Sequence, residues 1–177
     1  DFVIEDRFTS QATNASPQEP RATVASWDAS GKLTVWSSQQ SPSEVISILS
    51  QVFGIPVTKI RFIAPYIGGA FGCKYLLGYE PLTALLAKKA GKPVQLAFNA
   101  SEELTKGRLR HPSVFNIKIG AKNDGTITAV EGAIIYDTGA YVDCGLWIVS
   151  SGVEHIGNGR YFRCPNIKFE GYVVYTN

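Results

Sequence analysis

The sequence predicts an α+β fold in which a mixed sheet with two βαβ-like units is followed by antiparallel hairpins. In the N-terminal half, helical patterns at positions 41–53 and 80–89 each lie between strand-like segments. Beyond residue 110 the apolar period changes to that of a strand. The 177 residues, 45% of them hydrophobic, are enough for one domain or part of one, so we expect residues 1–177 to form a single or partial domain.

The first βαβ-like unit follows a strand hairpin and contains the most clearly marked helix. Ser41 and Glu44 have the spacing of a capping box, Pro42 is tolerated in a first turn, and apolar residues at helical spacing continue to Phe53. A strand on each side of this helix predicts a parallel pair joined by a right-handed crossover. The strands predicted here are Ala22–Trp27, Leu33–Ser37 and Lys59–Ile63.

The second βαβ-like unit contains a helix over Glu80–Lys89 and a strand over Val94–Phe98. Leu82, Leu85 and Leu86 recur at helical spacing and predict the side of this helix that faces the core. The strand ending near position 63 opens the unit, so a loop rich in glycine connects that strand to the helix.

The rest of the chain predicts further strands and two short helical segments. Alternating apolar residues from Phe115 to Ile119, followed by the turn Asn123-Asp124-Gly125, indicate a hairpin. Residues 1–20 are expected to be a short apolar start and an extended polar connector. The other predicted elements are a helical turn over Ser101–Gly107, a strand over Thr126–Tyr136, a helix over Trp147–Ile156 and a strand over Ile167–Tyr175.

Composition and charge argue against several classes of function. The 17 basic and 15 acidic residues are interspersed, which argues against nucleic acid as a partner. No apolar run approaches the roughly 18 residues of a membrane span. The three cysteines and two histidines lack ligand spacing, so we expect no metal site built from side chains. We expect a fragment of a longer protein in a reducing compartment, the cytoplasm, with the periplasm as the alternative.

The run Gly68-Gly69-Ala70-Phe71-Gly72 is the strongest local signal. Three glycines this close suit either a plain loop or a place where a ligand approaches the backbone, and composition leaves both interpretations open. A nucleotide phosphate loop needs lysine directly after glycine and then a hydroxyl residue. Here Cys73 separates Gly72 from Lys74, so nucleotide hydrolysis is disfavoured.

The predicted topology brings Gln40 to the same edge of the sheet as the glycine run. Both follow parallel strands, and ligands of open α/β sheets bind at the carboxyl ends of such strands. We therefore expect Gln40 to face Phe71 and Gly72 across a cleft, where the start of the helix at Ser41 suits a ligand with phosphate or oxo groups. The alternative is that Gln40 is a solvated loop residue.

Several motifs, in matching order, resemble those of the molybdopterin-binding large subunit of the xanthine dehydrogenase and aldehyde oxidase family. The segment from Gly68 to Lys74 resembles its GGxFGxK motif, and Trp36-Ser37-Ser38-Gln39-Gln40 resembles the segment with a cofactor-facing glutamine. The other similar motifs are Gln18-Glu19-Pro20-Arg21, Gly107-Arg108 with Arg110-His111-Pro112, Pro165-Asn166-Ile167 and Tyr175-Thr176-Asn177. The chain thus resembles the first molybdopterin-binding domain, the N-terminal part of such a subunit.

The resemblance implies that the chain helps to bind molybdopterin, the molybdenum cofactor. It implies that Gln40 lies near a molybdenum oxo group and that the backbone of Gly68, Gly69, Ala70, Phe71 and Gly72 surrounds the pterin and the metal end. The catalytic general base, a glutamate, is expected beyond position 177, so the isolated fragment should be inactive. The expected partners are the rest of the large subunit and other domains or subunits that carry iron-sulfur clusters and, where a flavin subunit exists, FAD.

Tyr75 is the residue expected to contact the substrate. It stands where purine-oxidising members of the family carry a glutamate, and no arginine occurs between Asp143 and Gly159, where those members have a second purine contact. The resemblance therefore implies an oxidoreductase that hydroxylates a small molecule, either an aldehyde or an aromatic heterocycle. The alternative is a scaffold or assembly domain that retains the fold without catalysis.

Overall fold

The computed structural model describes residues 1–76, 78–157 and 163–176. They form two compact units: a terminal unit of Asp1–Thr13 with the described part of Arg110–Asn177, and a central unit of Asn14–Leu109. The strands are β1 (Phe2–Ser10), β2 (Thr13–Asn14), β3 (Ala22–Trp27), β4 (Leu33–Ser37), β5 (Ile60–Ile63), β6 (Val94–Ala97), β7 (Leu109–Arg110), β8 (Ser113–Ala121), β9 (Ile127–Asp137) and β10 (Ile167–Val174). The helices are α1 (Pro42–Phe53), α2 (Glu80–Ala90), α3 (Ala100–Lys106) and α4 (Gly145–Gly157).

These elements confirm the predicted α+β class, and none of the described helices has the length and apolarity needed to cross a membrane. Whether residues 1–177 fold as a single domain stays a prediction. Asn177, the last residue of one predicted motif, lies outside the described residues.

The central unit contains a four-stranded sheet in the order β5-β4-β3-β6. Strands β4 and β5 are parallel, with Leu33 opposite Ile60, which confirms the first βαβ-like unit. Strand β3 is antiparallel to both of its neighbours, β4 and β6. The strands of the second unit, β5 and β6, therefore run in the same direction but lie at opposite edges of the sheet.

The core of the central unit lies between this sheet and helices α1 and α2. Leu33 and Val35 of β4 pack with Val45 and Leu49 of α1, and all four side chains are fully buried. Helix α1 ends at Gly54, whose φ of 63° lies in the left-handed region that glycine adopts without strain. The apolar spacing of α1 therefore predicted its buried face correctly.

The predicted buried face of α2 is wrong. Leu82, Leu85 and Leu86 are exposed, whereas Ala84 and Ala87 lie in the core. Small side chains allow the helix to approach the sheet closely, and the indole nitrogen of Trp27 on β3 donates a 2.8 Å hydrogen bond to the carbonyl of Ala84. Close packing thus selected the alanine side of the helix over the leucine side.

The terminal unit contains a sheet in the order β1-β8-β9-β10. The hairpin β8–β9 is confirmed, and β10 pairs parallel to β9. Helix α4, which covers the predicted Trp147–Ile156, packs on β9 and β10. The expectation for residues 1–20 was wrong in part, because Phe2–Ser10 is a full strand along the edge of the sheet, antiparallel to β8.

Candidate functional site

The glycine run forms a loop whose backbone repeatedly enters the left-handed region. Gly69 and Gly72 have φ values of 95° and 91°, and Phe71 between them has a φ of 52°. A non-glycine residue in this region is uncommon and costs conformational energy, which the surrounding contacts must offset. Phe71 is 61% exposed, and a β-carbon built on Gly72 would meet no atom within 4 Å. The loop therefore presents bare backbone to open space at Gly72, whereas Ala70 is buried.

Glu19 holds this loop at both of its ends. The backbone N–H of Gly68 donates to Glu19 Oε2 at 2.9 Å, and Lys74 Nζ donates to the same oxygen at 2.8 Å and to the Glu19 carbonyl at 2.7 Å. The contact needs glycine at position 68, because an added β-carbon there would lie 2.6 Å from Glu19 Cβ. Burial would raise the pKa of Glu19, but the hydrogen bonds from Lys74 and Gly68 outweigh it and lower that pKa below its ordinary value.

The ion pair between Arg21 and the buried Glu103 supports the backbone of the loop at Cys73. Arg21 Nη2 lies 2.8 Å from Glu103 Oε1 and also donates a 3.2 Å hydrogen bond to the carbonyl of Cys73. Burial would raise the pKa of Glu103, yet the side-chain and backbone hydrogen bonds from Arg21 lower it overall. For the thiol of Cys73, burial dominates and raises the pKa, so this cysteine is a packed thiol and a poor nucleophile.

Gln40 contacts the loop directly. The backbone N–H of Gly72 donates to Gln40 Oε1 at 3.0 Å, and the backbone N–H of Gln40 donates to the carbonyl of Lys74 at 2.8 Å. The two loops thus lie at the same edge of the sheet, as expected, but they touch instead of facing each other across a cleft. The parallel pairing of β4 with β5 places them within hydrogen-bonding distance.

The predicted capping box at Ser41 is wrong. No side chain caps α1; instead, Ser41 Oγ accepts a 2.8 Å hydrogen bond from the backbone N–H of Leu76. The first turn of α1 is therefore tied to the loop that follows Lys74. Tyr75 in this loop is partly buried, and its carbonyl accepts a hydrogen bond from the guanidinium of Arg108.

Sequence reasoning missed a buried polar network next to Gln40. Gln39 is 2% exposed and Glu80 is 3% exposed, and Gln39 Nε2 donates to Glu80 Oε1 at 3.1 Å. Ser38 Oγ in the same segment is buried and has no hydrogen-bond partner among the described residues. The available signal was a polar run, Ser37 to Gln40, that begins at the last residue of the largely buried strand β4. Glu80, the hydrogen-bond partner of Gln39 in this run, lies 41 residues further along the chain and could not be identified from spacing.

The histidines and cysteines that the structure describes do not assemble into a metal site. Within residues 1–76, 78–157 and 163–176, no three His, Cys, Asp or Glu side chains come together as potential ligands. His155 Nδ1 instead contacts the carbonyl of Ser151, one turn earlier in α4.

The whole chain, residues 1–177, matches the family described as "Molybdopterin cofactor-binding domain". The chain belongs to this family. It is 36% identical over its full length to a probable xanthine dehydrogenase subunit of Bacillus subtilis, and 33% identical to the nicotinate dehydrogenase large molybdopterin subunit of Eubacterium barkeri. It spans 24% and 41% of the length of those two relatives.

Two solved structures support the same family membership. The aldehyde oxidoreductase of Desulfovibrio gigas matches 99% of this chain with a TM-score of 0.88 at 29% identity, and the match covers 19% of that protein. The quinoline 2-oxidoreductase of Pseudomonas putida matches with a TM-score of 0.86 at 27% identity. This match covers 99% of this chain and 23% of that protein. The resemblance inferred from the motifs is thus confirmed at the level of the family.

The residues present fit a molybdenum cofactor. With Oε1 of Gln40 held by Gly72, the amide nitrogen Nε2 forms no hydrogen bond with the residues that the structure describes, and the residue is exposed. An amide N–H is a donor suited to an oxo group. The backbone of Gly72 lies next to this donor and is open on the side where a side chain would stand, so a ligand can approach the backbone closely there.

We predict that breaking the buried ion pair destabilises the protein far more than breaking an exposed one. Arg21→Met leaves the Glu103 carboxylate buried without its cation, so the free energy of unfolding should fall by about 3–5 kcal/mol. The control is Lys118→Met, which breaks an exposed pair with Glu5 and should leave the free energy of unfolding nearly unchanged, because water screens the two charges. Urea unfolding measures both, and equal losses would contradict the prediction.

We also predict that ionised Glu19 contributes to the free energy of unfolding and that this contribution is lost in acid. Because its folded pKa lies below the ordinary value of 4.5, its contribution is fully present above that pH and is lost as the pH falls through the lower folded pKa. Unfolding free energies measured from about pH 6 to about pH 3 should therefore decline less steeply in Glu19→Gln than in the unchanged protein. The exposed Glu44→Gln is the control and should keep the steeper decline.

Proposed function

We propose that this chain is the part of a molybdenum hydroxylase that holds the molybdenum cofactor, within a longer oxidoreductase that oxidises a small molecule. One observation carries the proposal: Gly72 fixes one side of the Gln40 amide and leaves its donor side open beside an exposed, glycine-rich backbone. Membership of the molybdopterin cofactor-binding family supports it. The relatives' names describe oxidoreductases that act on xanthine, nicotinate and aldehydes.

Each residue of the loop has a separate part in this proposal. Gln40 Nε2 would donate a hydrogen bond to an oxo group of the cofactor, while the hydrogen bond from Gly72 N–H to Oε1 orients the amide for this contact. The backbone of Ala70, Phe71 and Gly72 would hold the pterin and the metal end. Gly69 permits the turn that brings this backbone forward, and Gly68 leaves room for Glu19 beside it. When bound, the cofactor supplies the oxidation of the substrate carbon.

Tyr75 is the proposed substrate contact. It directly follows Lys74, whose ammonium is buried against Glu19, so its position relative to the loop is fixed. A phenol cannot replace the paired hydrogen bonds that a carboxylate makes to a purine. We therefore propose an aldehyde or an aromatic heterocycle as substrate, hydroxylated within a larger assembly whose other domains or subunits carry iron-sulfur clusters and, in some assemblies, FAD. The general base is proposed to lie in the remainder of the large subunit.

The role of Gln40 is tested in the full-length protein by Gln40→Ala. Removing a hydrogen-bond donor aimed at the reacting centre typically lowers kcat by about 100- to 1000-fold, and we expect a loss in that range per molybdenum atom. Gln51→Ala changes an exposed glutamine of the same unit and should behave like the unchanged protein.

Metal and pterin analysis of the unchanged full-length protein decides between the enzyme and a scaffold. An active preparation without molybdenum and pterin would overturn the cofactor proposal. A protein with neither cofactor nor hydroxylase activity would favour the scaffold function instead.

Substrate selection by Tyr75 gives a separate prediction. Tyr75→Glu should raise the ratio of kcat/KM for xanthine to that for benzaldehyde by about tenfold or more, because the new carboxylate can accept hydrogen bonds from a purine. Tyr75→Phe, which removes only the hydroxyl, should leave the ratio within about threefold of the original. An unchanged ratio in Tyr75→Glu would show that this side chain does not contact the substrate.

A further inference from the structure

The carboxylate of Glu80 is buried where a charge is costly unless its hydrogen bonds are complete. It accepts 2.8 Å hydrogen bonds from Ser37 Oγ and from the backbone N–H of Gly78, and a 3.1 Å hydrogen bond from Gln39 Nε2. None of the ion pairs found among the described residues includes it. Its position in the first turn of α2 places it at the positive end of the helix dipole. A buried charge held by neutral donors can orient those donors.

The orientation of the Gln39 amide follows from this contact. A carboxylate only accepts hydrogen bonds, so the NH₂ side of the Gln39 amide must face Glu80, and Oε1 must face the opposite way. Gln39 Oε1 accepts hydrogen bonds from the backbone N–H groups of Gln40 at 2.8 Å and Ser41 at 3.3 Å. Gln39 Nε2 also donates to the carbonyl of Leu76. A reversed amide would set donors against donors at the backbone N–H groups and acceptors against acceptors at Glu80 and Leu76.

We propose that Glu80 is a positioning residue that acts through Gln39 to hold Gln40 and the glycine run in their binding geometry. The hydrogen bonds form one continuous path from Glu80 to Gln39, from Gln39 to the backbone of Gln40, and from the Gln40 side chain to Gly72. This inference rests on the proposed cofactor-binding function. It adds a role for a carboxylate whose hydrogen bonds reach neither the glycine run nor Gln40 directly.

Glu80→Gln tests the role of the charge while nearly preserving the shape. The new amide has one acceptor atom where the carboxylate has two, so its nitrogen must face either Gly78 N–H or the Ser37 and Gln39 donors. In the full-length protein loaded with cofactor, we expect kcat per molybdenum atom to fall by about tenfold or more. We also expect a changed electron paramagnetic resonance spectrum of the molybdenum centre after dithionite reduction, a readout that needs no substrate.

A merely structural role predicts a different result. It would lower the melting temperature or the molybdenum content, but the loaded fraction would keep the original kcat per molybdenum atom and the original spectrum. The activity is measured with benzaldehyde as substrate and dichlorophenolindophenol as electron acceptor. Glu44→Gln is the matched control, because it makes the same change in the exposed first turn of α1. A Glu80→Gln spectrum and kcat equal to those of this control would overturn the proposal.

A second variant, Gln39→Leu, breaks the path at its middle and decides the matter if Glu80→Gln does not fold. It should show the same loss as Glu80→Gln, and the double variant should be no worse than the worse single one, because the two residues act in series. Additive losses, or a Gln39→Leu protein like the control, would overturn the path. If the unchanged protein contains no molybdenum or pterin, both proposals fail; if it is loaded and the variants behave like the control, the positioning role alone fails.

Discussion

The hydrogen bond from Gly72 to Gln40 is the contact on which the site depends. It joins the loop after β4 to the loop after β5, and both loops reach it because those two strands are parallel neighbours. One hydrogen bond of this kind contributes only about 0.5–1.5 kcal/mol, too little to fix two loops by itself. It forms reliably only if other contacts hold both loops in place, and the buried charges of the central unit supply those contacts.

Charged groups hold the glycine run at its two ends and at the carbonyl of Cys73. Lys74 with Glu19 fixes the ends, and Arg21 with Glu103 supports the carbonyl of Cys73. The buried charges of Lys74 and Glu103 would each cost several kcal/mol without their partners, so an alternative loop conformation that separated them would be strongly disfavoured. Buried ion pairs often stabilise a fold no more than apolar side chains of similar volume would. Their effect here is to select one loop conformation, including the positive φ of Phe71.

The sequence allowed prediction of what depends on local pattern. Apolar periodicity located α1 and its buried face, and the strand on each side of it implied the parallel pair that brings Gln40 to the glycine run. Predictions from local pattern were wrong where packing between distant segments determined the structure. Ser41 has the spacing of a capping residue, but Leu76 N–H competes for its oxygen. The strand Phe2–Ser10 looked like a short apolar start because its partner, β8, is about a hundred residues or more away along the chain.

Helix α2 shows how a wrong local prediction and an unpredicted network share one cause. The helix turns Ala84 and Ala87 toward the sheet, and these small side chains let it approach closely enough for the Trp27 indole to reach a helix carbonyl. Glu80 lies one turn before Ala84, so the same close approach places its carboxylate within 2.8 Å of Ser37 Oγ at the end of β4. Had the leucines faced inward, their bulk would have held the helix further from the sheet. A carboxylate in the first turn could then not have reached Ser37 and Gln39. The alanine face is therefore a condition for the polar network, and the exposed leucines are a consequence of it.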